Sequence, residues 1–123
     1  MNQRTLGILQ WFGLLLGAGI WAAQHIVGFG ITVAACGPNG STWGVRNEVW
    51  QAALMGIAVA FVLAAEAAAV TVFARTRDVD YAEGPLPGAR LQFFAIAAIL
   101  ANALFLMIII LDGTASIAAA DCR

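Results

Sequence analysis

Three long runs of apolar residues dominate the chain and define its predicted elements. They cover residues 6–35, 49–74 and 91–111. A helix of about 20 apolar residues crosses a hydrocarbon core of about 30 Å, and each run is at least that long. The runs lack the two-residue alternation of membrane β-strands, which favours helices. The pattern therefore predicts an all-α integral membrane protein, with three transmembrane helices in a single domain, residues 1–123.

Polar, turn-forming segments separate the three runs. Residues 36–41 contain the Pro38-Asn39-Gly40 triplet, and residues 78–90 contain two further prolines among glycines. Such clusters are typical of loops. Trp43 and Trp50 flank the start of the second run, as amphipathic rings do at a membrane interface. Both segments are thus predicted to lie outside the hydrocarbon.

The composition agrees with a lipid environment. Of 123 residues, 62% are hydrophobic and only 11% are charged, whereas soluble domains contain about half and about a quarter. The runs leave no room for a separate soluble catalytic domain. The net charge of −1 provides no basic patch for phosphates, so nucleic acid is not an expected partner.

The arginines predict the orientation, because cytoplasmic loops are enriched in Lys and Arg. The side of the N-terminus and second loop holds Arg4, Arg75, Arg77 and Arg90. The opposite side holds only Arg46 and Arg123. We therefore expect the N-terminus in the cytoplasm and the C-terminus outside. The absence of lysine and the abundance of alanine suggest a GC-rich bacterial genome, and hence the bacterial inner (plasma) membrane.

The cysteines fall on the outer side in this topology. Residues 33–36 resemble a lipobox, which offers a rival reading of the first run as a signal peptide. That run is much longer than the 7 to 15 residues typical of a signal h-region, so we favour a membrane span. Cys36 and Cys122 then share an oxidising compartment, and we predict a disulfide between them, the only pairing that two cysteines allow.

Small residues in the first run suggest close helix packing. Gly13 and Gly17 have the G-x-x-x-G spacing that lets helix backbones approach in lipid. One interpretation is a docking face for a partner or a second copy. The other is packing among the three helices of this chain.

Four of the polar side chains that interrupt the apolar runs are candidate functional residues. Ionisable groups inside a membrane are costly, so His25 and Glu66 come first. Residue counts place Asn102 between them in depth, with Gln24 as a fourth member of an intramembrane polar cluster. The cluster is either a proton relay or ligand site, or a set of hydrogen bonds between helices. We expect Glu66 to be protonated and bonded to Asn102 or to a water.

The chain offers no catalytic constellation. It contains no phosphate-binding loop, no H-E-x-x-H motif and no cluster of metal ligands, so no catalytic residue, metal or cofactor is predicted. A single histidine cannot supply two haem ligands within one chain, and haem held by two copies of His25 in a dimer is disfavoured. A membrane enzyme is the weakest hypothesis.

Three stretches together carry a family resemblance. They are residues 21–29 leading to Cys36, residues 88–95, and residues 104–106 followed by Cys122. They resemble a family of small bacterial membrane proteins encoded beside cytochrome c oxidase genes. In that family a Trp precedes a His by four residues, one Cys closes the first span and another lies at the extreme C-terminus, as Trp21, His25, Cys36 and Cys122 do here.

The resemblance implies a function without a redox centre. It points to an accessory subunit or assembly partner of a haem-copper respiratory oxidase, with the lipid bilayer and oxidase subunits as partners. The alternative is a small oligomeric membrane protein that conducts protons or binds a ligand through Glu66, Asn102 and His25.

Overall fold

The part of the chain that the structure describes folds into three long helices. The computed structural model describes residues 2–37, 46–78 and 87–119. Helix α1 is Gln3–Ala35, α2 is Asn47–Thr76 and α3 is Pro87–Ala118, and each packs against the other two. The predicted all-α fold with three helices is confirmed. The helices extend beyond the apolar runs, and α3 most of all, because it continues past residue 111 to Ala118.

Local hydrogen bonds define where the first helix begins and ends. The Asn2 side chain accepts hydrogen bonds from the Thr5 backbone N–H at 2.9 Å and from the Thr5 hydroxyl at 2.8 Å. Such an N-cap satisfies donors that lack a partner within the helix. At the other end the Cys36 N–H donates to the Thr32 carbonyl at 2.9 Å. Helix α1 thus has one cap at each end.

Large apolar side chains face outward on all three helices. Ile26, Phe29 and Phe93 are 70%, 69% and 68% exposed, respectively. In water an apolar surface of this extent would drive aggregation, whereas in lipid it costs nothing. All three helices are long and apolar enough to cross a membrane. These features are typical of a multi-pass membrane protein.

The interior is built from small residues instead of large ones. The buried apolar residues are Ala58, Val62, Ala65, Ala68, Ala69, Val72, Ala95, Ala98 and Ile109. Alanine allows backbones to approach closely, which is how helices gain dispersion contacts in lipid. The helices therefore pack by fit between small side chains.

The two glycines of the G-x-x-x-G motif are covered by the other two helices. A Cβ on Gly13 would lie 3.1 Å from the Ala69 nitrogen and 3.2 Å from the Ala65 oxygen, both in α2. A Cβ on Gly17 would overlap the Asn102 Oδ1 atom of α3. In the structure, Gly13 and Gly17 therefore pack against the other helices of this chain, which agrees with the second interpretation of the motif.

Candidate functional site

Polar side chains occupy several levels of the bundle interior. Those with less than a tenth of their surface exposed are Gln10, Gln24, Asn47, Gln51, Thr76, Gln92 and Asn102. A polar group buried without a hydrogen bond is costly, so each of these needs a partner. Two cavities between the helices bring most of the sequence-predicted residues together.

Asn102 connects α3 to α1 near the middle of the bundle. Its side chain is 1% exposed, and its Nδ2 donates to the Gly13 carbonyl at 2.9 Å. The other amide atom, Oδ1, lies against Gly17 and has no hydrogen-bond partner. The amide is thus held between the two glycines of the G-x-x-x-G motif.

Glu66 and Asn102 line a common cavity, which we call the Glu66 cavity. Its volume is about 140 Å³, and its remaining lining is Val62, Leu63, Ala103 and Leu106. The Glu66 Oε2 atom is buried without a hydrogen-bond partner, as is Asn102 Oδ1. The two predicted residues therefore share one cavity. The expected hydrogen bond between them is not formed by these two oxygens, Glu66 Oε2 and Asn102 Oδ1.

His25 lies at a different level and pairs with Asp112. The His25 Nδ1 is 3.1 Å from Asp112 Oδ2, which joins α1 to α3. The two side chains are 62% and 30% exposed. The Trp21 ring lies beside His25, with centroids 6.2 Å apart, and beside Phe105, at 6.0 Å. The histidine is thus held by one carboxyl partner, Asp112, and one aromatic neighbour, Trp21.

A second cavity surrounds this pair, and we call it the polar pocket. Its volume is about 150 Å³. The polar side chains that line it are Gln24, His25, Thr32, Gln51, Asp112 and Ser116. All three helices contribute to it, so the site exists only when the bundle is assembled.

Two buried glutamines form the inner wall of the polar pocket. Gln51 Nε2 contacts the Gly28 carbonyl at 2.9 Å, Thr32 Oγ1 at 3.0 Å and Asn47 Oδ1 at 3.4 Å. Gln24 Nε2 donates to the Ile109 carbonyl at 3.4 Å. The Gln24 Oε1 atom is buried and has no hydrogen-bond partner. The amide nitrogen of Gln51 is therefore fully occupied, while the amide oxygen of Gln24 is left without a partner.

The four predicted polar residues divide between the two cavities. Glu66 and Asn102 share one, while Gln24 and His25 share the other with Asp112. Sequence reasoning missed Asp112 as a site residue, although residue counting contained the signal. His25 follows Arg4 by 21 residues and Asp112 follows Arg90 by 22, which corresponds to about 32 and about 33 Å of helix.

Of the two cysteines, one lies within the described residues. Cys36 follows the last residue of α1, whereas Cys122 lies outside the described residues, so the disulfide stays a prediction. Across residues 2–37, 46–78 and 87–119 there is no group of three or more His, Cys, Asp or Glu side chains that could hold a metal ion.

No family model, curated protein or solved structure matches the chain.

Proposed function

We propose that this chain is an accessory subunit or assembly partner of a haem-copper respiratory oxidase, without a redox centre of its own. The proposal rests on the resemblance of three stretches to small proteins encoded beside oxidase genes. One observation supports it further: the Trp21 ring of the first stretch lies beside both His25 of the same stretch and Phe105 of the third stretch. Two of the three stretches that carry the resemblance thus meet at the Trp21 ring.

The bundle surface is consistent with such a role. The interior contacts join the three helices to one another, and the outward faces are apolar along their length. An oxidase subunit in the same membrane presents the complementary kind of surface, where van der Waals packing drives helix association. We place the protein in the bacterial plasma membrane with its N-terminus in the cytoplasm, because four of its six arginines then lie inside.

Purification of the native complex tests this function. The tagged chain is extracted from its own membrane in a mild detergent, and the proteins that accompany it are identified. We expect oxidase subunits in near-stoichiometric amount, together with haem absorbance. A Trp21→Ala variant removes the ring between His25 and Phe105, and Trp11→Ala, which removes the ring beside Phe94, is its matched control. A homo-oligomer without oxidase subunits would contradict the proposal.

A second candidate function is proton conduction or ligand binding through Glu66. The observation that favours it is the buried Glu66 Oε2, which has no hydrogen-bond partner and lies in a cavity between helices. Intramembrane carboxyl groups in such positions are functional candidates by default. Proton flux into vesicles that contain the purified chain separates this candidate from the accessory role, which requires no flux.

A further inference from the structure

The polar pocket contains open hydrogen-bond acceptors beside the hydroxyl groups of Thr32 and Ser116. A carboxylate only accepts, so the His25 Nδ1 that faces Asp112 carries the proton, and in a neutral ring Nε2 is then an acceptor. Gln24 offers Oε1, because its Nε2 already donates to Ile109. The three contacts of Gln51 Nε2 exceed the two hydrogens of an amide. Among the side chains that line the pocket, Gln24 thus carries a buried atom without a hydrogen-bond partner, and that atom is an acceptor.

Gln24 Oε1 needs a donor because this open acceptor is deeply buried. Gln24 is 7% exposed, and a buried acceptor without a partner costs about 1–3 kcal/mol. The carboxyl group of Asp112, which pairs with His25 Nδ1, lines the same cavity and adds a negative charge to it when it is ionised beside a neutral imidazole. A cation with several N–H groups satisfies both requirements at once.

From these features we propose that the polar pocket binds a primary ammonium group, such as that of an ethanolamine phospholipid. An ammonium has three donors and one positive charge. The volume of about 150 Å³ equals the share of about five waters in the liquid, at about 30 Å³ each, which accommodates an ammonium and its two-carbon stem. A trimethylammonium group has no N–H and leaves Gln24 Oε1 without a donor.

The position of the pocket favours a lipid as the source of the ammonium. Asp112 lies six residues before the end of α3 at Ala118, which is about 9 Å along the helix axis. Both His25 and Asp112 are partly exposed on the side of the bundle. A headgroup can therefore enter from the surrounding leaflet, and a free amine from water would use the same acceptors.

Lipid discrimination by the purified full-length chain tests this site. Short-chain phosphatidylethanolamine and phosphatidylcholine of equal acyl length are titrated into the detergent-solubilised protein, and Trp fluorescence reports binding. We expect the ethanolamine lipid to bind at least about tenfold more tightly, as charge-assisted hydrogen bonds predict. Equal affinity for the two lipids would overturn the proposal.

Two variants and one control connect the discrimination to the pocket. Asp112→Asn removes the charge at constant shape, and Gln24→Met removes the open acceptor, so both should abolish the preference. Gln10→Met is the control, because Gln10 is another α1 glutamine with 7% exposure and lines a different cavity. Circular dichroism and gel filtration verify that each variant is folded. A preference that survives in both pocket variants would also overturn the proposal.

Competition identifies the source of the ammonium. Displacement of the bound lipid by free ethanolamine at millimolar concentration would show that a soluble amine suffices. Failure of ethanolamine to compete, with the lipid preference intact, would identify the phospholipid as the ligand. These experiments use the isolated chain, so they are independent of the association with an oxidase.

Discussion

At the scale of single residues, Asn102 shows how one amide joins helices where apolar packing alone has little specificity. It donates to the Gly13 carbonyl of α1 and lines the Glu66 cavity beside residues of α2. The G-x-x-x-G spacing creates the space for this amide, because Gly17 has no side chain to displace Oδ1. The motif therefore accommodates a polar contact as well as a close approach of backbones.

Gly17→Ala should destabilise the bundle. The added methyl group would overlap Asn102 Oδ1, and the shift of this buried amide would weaken its hydrogen bond to Gly13. We expect a loss of about 1–3 kcal/mol in the free energy of unfolding, measured by titration with a denaturing detergent. Gly19→Ala is the matched control, since a Cβ there meets nothing within 4 Å. Equal losses in the two variants would contradict this role of Gly17.

Glu66→Gln should preserve both folding and association with the oxidase. The amide keeps the shape of a neutral carboxyl group, and the cavity around it is mostly apolar. Glu66→Leu removes the polar group and should lower the yield of complex, as measured by co-purification. If proton conduction is the function, Glu66→Gln abolishes flux into vesicles, because an amide cannot release a proton. Equal loss of complex with Gln and with Leu would argue against a purely structural Glu66.

At the scale of elements, the long apolar runs predicted the three helices because length and hydrophobicity alone suffice for that inference. They did not predict where α3 ends. The third apolar run ends at residue 111, before Asp112-Gly113, a pair that favours turns, yet α3 continues to Ala118. Gly113 packs against α2, where a Cβ would lie 2.5 Å from the Met55 sulfur. Tertiary packing thus overrides the local preference of glycine.

Tertiary packing also explains why the candidate sites were predicted only in part from the sequence. Residue counts gave the depths of His25, Glu66 and Asn102, but they contain no information on the face from which each side chain projects. Glu66 and Asn102 line the same cavity, whereas His25 pairs with Asp112 in another cavity. Gln51 went unnoticed as a site residue because it lies near the start of the second apolar run, in the first turns of α2.

We predict a disulfide between Cys36 and Cys122, which would link segments that follow two different helices. It would join the end of α1 to the segment after α3 and, by the chain-entropy model, stabilise the fold by about 4 to 5 kcal/mol. Thiol labelling with and without reductant, followed by intact mass, detects it. We expect no labelling of the native protein and two labels after reduction. Labelling of both thiols without reductant, in protein isolated under oxidising conditions, would contradict the prediction.

At the scale of the whole molecule, the distribution of side chains is the reverse of that in a soluble protein. Amides and alanines fill the interior, and large apolar side chains cover the outside. A soluble protein obtains its stability by removing apolar surface from water, a driving force that is absent between helices in lipid. Packing of small residues and hydrogen bonds between helices take that role here. Both proposed sites follow from this arrangement, since each is a gap between helices into which polar side chains are buried.

The membrane topology is the measurement on which the account depends most directly, because both proposals require three helices that cross the bilayer. Reporter fusions are made at Trp43, at Tyr81 and after Arg123, with one reporter active only in the cytoplasm and one only in the periplasm. The account predicts a cytoplasmic signal at Tyr81 and periplasmic signals at Trp43 and at the C-terminus. Signals from Tyr81 and the C-terminus on the same side of the membrane would contradict it.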